Sequence, residues 1–145
     1  SQHKMWNYYM PIIIVICSNT LYHVCSKSTP RDANMFMSLI VTYLVATSSS
    51  IAFYLFSVQN RGLVLDIKSL NWTSILLGIG VFGIELGFIK MYRTGWDISA
   101  ASLLTNAAIS ILLIFIGLIF YREHLSSNQM IGIALCLAGL FFFNR

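Results

Sequence analysis

Long apolar runs alternate with short polar links along almost the whole chain. The runs cover 6–26, 33–57, 72–92, 98–121 and 128–143. At ~1.5 Å per residue, each is about long enough to cross a ~30 Å hydrocarbon core as a helix. The pattern predicts an all-α integral membrane protein, one domain over 1–145 with five transmembrane helices. Ser28-Thr29-Pro30-Arg31-Asp32 joins the first two runs; Pro30 cannot continue a helix, and Asp32 is placed to cap the next. Residues 58–71 form the longest link, and Leu63-Val64-Leu65 within it is expected to lie along the interface. Gly95 suits a positive-φ turn, with Asp97 or Ser99 as the following N-cap. Trp6, Tyr8, Tyr9, Trp72, Tyr92, Trp96 and Tyr121 fall near span ends, as aromatic belts do.

Polar and small residues interrupt the runs at helical spacing. Asn19, Tyr22, His23 and Ser26 share a face of the first span, and Tyr43, Thr47 and Ser50 share one of the second. Ser99, Ser102, Asn106 and Ser110 form a stripe on the fourth. Gly83 and Gly87 in the third span, and Gly132 and Gly139 in the fifth, are expected helix-packing positions, since small residues let backbones approach closely. Each polar stripe has two readings, helix packing or the wall of a cavity. Glu85 breaks the apolar pattern most sharply. A carboxylate this deep costs at least ~2.5 kcal/mol, so it should face protein or water, where it is a candidate proton carrier. Lys90 and Arg93 are expected to snorkel to the interface, and Glu123 to cap a helix or pair with a cation.

Composition narrows the class. Apolar residues make up 57% of the chain and charged ones 10%, with too little charge for a soluble domain. The mean hydropathy is +0.76. The net charge of +4 is scattered singly, without the basic run that tracks a nucleic acid. Cys17, Cys25 and Cys136 lie inside apolar spans without metal-ligand spacing. Gly78-Ile79-Gly80 followed by Gly83 spells a dinucleotide-binding pattern, but inside an apolar helix rather than after a strand. No nucleophile elbow or phosphate loop is present. No enzyme activity, cofactor or metal is therefore expected. The first run lacks a small-x-small cleavage pattern at its end and is expected to be retained.

Charge placement adds a topological point. With five crossings, Lys4, Arg61, Lys68 and Arg122 fall on one side of the membrane. Lys27, Arg31, Lys90, Arg93 and Arg145 fall on the other. So even a split gives little orientation by the positive-inside rule. A weakly biased chain can insert both ways and pair with an inverted copy of itself, supplying the inverted repeat on which many transporters are built.

Two stretches carry a family resemblance. Phe120-Tyr121-Arg122-Glu123-His124-Leu125-Ser126-Ser127-Asn128-Gln129-Met130-Ile131-Gly132 resembles the G-E-x-L-S-x-x-Q-x-I-G signature of EamA-like proteins, in the drug/metabolite transporter superfamily. Ser18-Asn19-Thr20-Leu21-Tyr22-His23-Val24 resembles that family's G-S-N-F stretch. Arg122 and Cys17 stand where the family usually has glycine, and Glu85 is outside its pattern. Typical members have ten helices in two inverted five-helix repeats, so the resemblance implies one repeat unit of such a transporter. It further implies a small-molecule substrate, a location in the cell (inner) membrane, and a second copy as partner in the bilayer. Substrate is then expected between the two copies, near Asn19, Tyr22, His23, Glu85 and Asn106. Two other classes remain: a lipid-carrier flippase subunit and a non-transporting assembly protein.

Overall fold

In the computed structural model the described residues, 1–57 and 61–143, form six helices and no strand. They are α1 (Gln2–Ser28), α2 (Met35–Leu55), α3 (Leu63–Lys68), α4 (Trp72–Arg93), α5 (Ile98–Ile119) and α6 (Ser127–Phe143). The all-α membrane architecture follows from their length and composition. Helices α1, α2, α4 and α5 are long and apolar enough to cross a bilayer, and α6 is a shorter apolar helix of 17 residues. The short α3 occupies the link expected to lie along the interface; its Leu63, Val64, Leu65 and Ile67 are exposed. Val58, at the start of that link, and Arg145, counted among the cations, lie outside the described residues. The chain forms two compact units, 1–94 and 95–145.

In the first unit α4 is central and packs against both α1 and α2. Its buried side chains are Leu39, Ile89, Tyr92 and His23. All four lie where the C-terminal ends of α1 and α4 meet the N-terminal end of α2. Tyr92 departs from its expected place in an aromatic belt. It is only 4% exposed, because its hydroxyl is tied to His23 and its ring stacks on Phe88. Arg93 also departs from expectation. Its guanidinium donates to the carbonyls of Pro30 at 3.1 Å and Ala33 at 2.6 Å rather than reaching into the interface. The Pro30 carbonyl also accepts from the Ala33 N–H at 3.1 Å, so the cation at the end of α4 adds a second donor there and a donor to the Ala33 carbonyl. The cap of α2 is Asn34, not Asp32: its side chain accepts from the backbone N–H groups of Phe36 and Met37. Two residues of turn separate Asp32 from the first helical residue, which places its carboxylate too early to reach them.

In the second unit α5 and α6 pack against each other. Gly95 has φ +106, as its turn requires, and Asp97 occupies the N-cap position of α5 without a side-chain cap bond. The α5–α6 turn explains the signature. Arg122 has φ 52, a left-handed conformation that glycine adopts without penalty. The next residue turns back: the Glu123 N–H donates to the Gly117 carbonyl at 3.0 Å, and the Glu123 carboxylate lies over the α-carbon of Gly117, where a side chain would collide. Glu123 thus seats on the helix end; no ion pair involving it occurs among the described residues. Ser126 and Gln129 then form a reciprocal capping box. The Gln129 N–H donates to Ser126 Oγ at 3.2 Å, and the Ser126 N–H donates to Gln129 Oε1 at 2.9 Å.

Candidate functional site

Glu85 lies two turns before the end of α4, half-buried. Because α4 touches both α1 and α2, its inward face meets a side chain from each. Tyr43 of α2 faces the Glu85 carboxyl, and Tyr22 of α1 lies within electrostatic reach of both. The hydroxyl oxygens of Tyr22 and Tyr43 are buried, and neither has a hydrogen bond of normal geometry among the described residues. Ser26, one turn along α1, also interacts with the Tyr22 hydroxyl. One carboxyl and two buried phenols thus converge. Buried polar groups of this kind ordinarily find partners. Together they offer both lone pairs and hydroxyl donors, enough to hold a proton, a water or a small cation.

Toward the α1–α2 link, the same seam becomes a packed aromatic cluster. His23 is 6% exposed, and its Nδ1 shares a hydrogen bond with the Tyr92 hydroxyl at 2.8 Å. Phe88 meets the His23 ring edge-on at 4.7 Å and the Tyr22 ring edge-on at 5.9 Å between centroids. The Lys27 ammonium lies 5.5 Å from the Tyr92 ring centre, a cation–π contact. His23 is therefore built into the aromatic cluster.

Of the expected site residues, Tyr22 and Glu85 come together in the first unit, while His23 packs against Tyr22, Phe88 and Tyr92. Asn19, one turn before Tyr22, is exposed on α1. Asn106 belongs to the second unit. There it lines a groove of ≈ 1070 Å³ between α5 and α6 with Ser99, Ser102, Ser110, Gln129 and Cys136. Gly132 and Gly139 border that groove, and a methyl group added to either would meet nothing within 4 Å. Gly83 and Gly87 are equally open on α4. Among the described residues, none of the four is filled by a neighbouring helix of its own unit. Tyr43 and Phe88 are the site residues that sequence reasoning missed. Tyr43 carried a signal as the head of the second span's polar stripe; Phe88 had none beyond helical spacing from Glu85. Among the described residues, no group of His, Cys, Asp or Glu is placed to hold a metal ion.

No curated protein and no solved structure matches the chain. The EamA-like transporter family matches residues 6–145, all of the chain but its first five residues. The signature at 122–132 has a structural reason at its Arg122, Glu123, Ser126 and Gln129 positions, and four of the helices are long and apolar enough to cross a membrane. On that match the chain belongs to the EamA-like transporter family, whose members are membrane transporters.

Proposed function

We propose that this protein moves a small polar or cationic molecule across the cell (inner) membrane by alternating access, coupled to proton binding at Glu85, as an antiparallel homodimer. The observation that carries the reading is the meeting of Glu85 with Tyr22 and Tyr43 at a three-helix seam. A carboxyl is costly in such a place and is kept where it has a task. Protonated, it releases a cation; ionised, it binds one, and a single carboxyl exchanges the two in turn. The even spread of Lys and Arg and the unfilled glycine faces support pairing with an inverted copy.

Reconstituted flux of small cationic metabolites, with and without a pH gradient, tests the coupling. Glu85→Gln is nearly isosteric and should leave folding intact while abolishing pH-driven exchange, a loss on the order of a hundredfold for a proton-transfer group. A variant that transports like the parent at every pH would reduce Glu85 to a packing residue. Labelling of an introduced terminal cysteine in intact cells tests the pairing; two populations of opposite orientation are expected.

The α5–α6 groove favours one other reading. Its size and its Leu103, Ile111, Ile133 and Leu140 walls suit a lipid tail, as in a lipid-carrier flippase subunit. Crosslinking of a photoreactive lipid-linked sugar to α5 and α6, with no flux of free metabolites, would decide for it.

A further inference from the structure

Exposed apolar side chains are ordinary on a helix that crosses lipid. On a segment too short to cross they need another reason. The six residues of α3 span only about 9 Å, yet Leu63, Val64, Leu65 and Ile67 are each more than half exposed. Asp66 is the one residue of α3 that is half-buried.

The bonds of Asp66 fix the level at which α3 lies. The Tyr54 hydroxyl, in the last turn of α2, donates to Asp66 Oδ2 at 2.7 Å. Asp66 also accepts from the Arg61 backbone N–H at 3.1 Å and lies 3.5 Å from Arg61 Nε. The Tyr54 hydroxyl, ahead of Arg61, holds the Asp66 carboxyl below the ordinary carboxylate range, so the bond is charge-assisted at neutral pH. At the other end only Ser69, Leu70 and Asn71 separate α3 from α4. Four residue steps keep Lys68 within about 14 Å of Trp72. The Ser69 and Leu70 N–H groups donate back to the carbonyls of Leu65 and Ile67, which shortens the reach further. Therefore α3 is held where one spanning helix ends and the next begins. Tyr54 and Trp72, amphipathic rings at those two helix ends, suit the same level.

The spread of the apolar side chains favours lipid over a protein neighbour. At ~100° per residue, Leu63 and Leu65 lie roughly 200° apart around the helix, with Val64 and Ile67 between them. One packed helix covers a stripe of about half that width and would leave a flank bare. The boundary between headgroups and acyl chains is fluid and closes around both flanks. Arg61 and Lys68, both exposed, stand at the two ends of the apolar set, with stems long enough to reach phosphate oxygens.

We propose that α3 is a membrane-surface anchor: its four apolar side chains enter the headgroup–acyl boundary, and the Tyr54–Asp66 bond ties the end of α2 to it. The tight packing of the first unit, at Leu39, Ile89, Tyr92 and His23, lies at the opposite ends of α2 and α4. Protein thus holds α2 at its first turns and lipid holds it at its last. The anchor is independent of what the chain carries.

Spin labelling of the full chain in lipid nanodiscs tests it, with the three native cysteines replaced by serine. Nitroxides are placed at Val64→Cys and, separately, at Leu65→Cys. Oxygen, which concentrates among acyl chains, should relax both labels, and a water-soluble nickel chelate should not. At Lys68→Cys the nickel chelate should regain access. A label at the exposed Phe53→Cys reads the end of α2. Tyr54→Phe or Asp66→Asn should raise its ratio of mobile to ordered signal about tenfold, the weight of one hydrogen bond to a charged group. Nickel access at Val64→Cys or Leu65→Cys would put α3 in water and overturn the anchor. Silence to both reagents, with an immobilised spectrum, would mean that the second unit or another copy covers α3, and overturns it equally. An unchanged signal at Phe53→Cys in both variants would overturn the tie to α2.

Discussion

Arg122 shows what a single residue costs this fold. Its φ of 52 places a side chain in a region that disfavours every residue with a Cβ, by roughly 1–2 kcal/mol. Arg122→Gly should therefore stabilise the second unit by about 0.5–1 kcal/mol, after allowing for the greater freedom of an unfolded glycine. Thermal unfolding in detergent measures it; a loss of stability would mean that the arginine side chain does more for the turn than its backbone costs. The departure from the family's usual glycine is visible in the sequence, but its meaning is not, because φ is a property of the folded turn. Tyr92 and Arg93 show the same limit. Their positions near a helix end suggest a belt aromatic and a snorkelling cation. Their actual partners, His23 and the Pro30 and Ala33 carbonyls, lie more than fifty residues away, and periodicity within one helix carries no information about a neighbour.

At the scale of elements, the apolar runs settle most of the outcome. Every span of the pattern returns as a helix, with ends shifted by a few residues, because burial in lipid forces each run to satisfy its own backbone. Caps were less legible: Asp32, Asn34, Asp97 and Ser99 are all chemically able to cap, and only the chain's path chooses among them. The capping box of Ser126 and Gln129 emerges only from the structure, although its three-residue spacing fits the pattern. Ser126→Ala should destabilise the second unit by about 1 kcal/mol. Hydrogen exchange at the first turn of α6 should accelerate in step. Unchanged exchange there would show that packing against α5 alone fixes the start of α6. The site was partly legible on the same grounds. Glu85 and Tyr22 stand out in apolar runs, while their meeting with Tyr43 depends on α4 touching α1 and α2 at once.

For the whole molecule, the glycines matter most. Gly83 and Gly87 line α4 with open space over both α-carbons, so larger side chains there disturb nothing among the described residues of the first unit. In an assembled pair they would obstruct a close helix–helix contact. Gly87→Leu should leave helix content unchanged yet weaken self-association in a mild membrane mimic by at least about tenfold, or ~1.4 kcal/mol. Association equal to the parent's would exclude this face of α4 from the interface and shift attention to Gly132 and Gly139.

The one-ended core of the first unit has a mechanical consequence. Three helices pinned where His23, Leu39, Ile89 and Tyr92 meet, and clasped there by Arg93, would act as tongs with the pivot near one end of the helices. Small rotations at the pivot become larger displacements at the far tips. Glu85 and Tyr43 lie just beyond the pivot, where a slight change in helix angle alters their separation while the clasp holds.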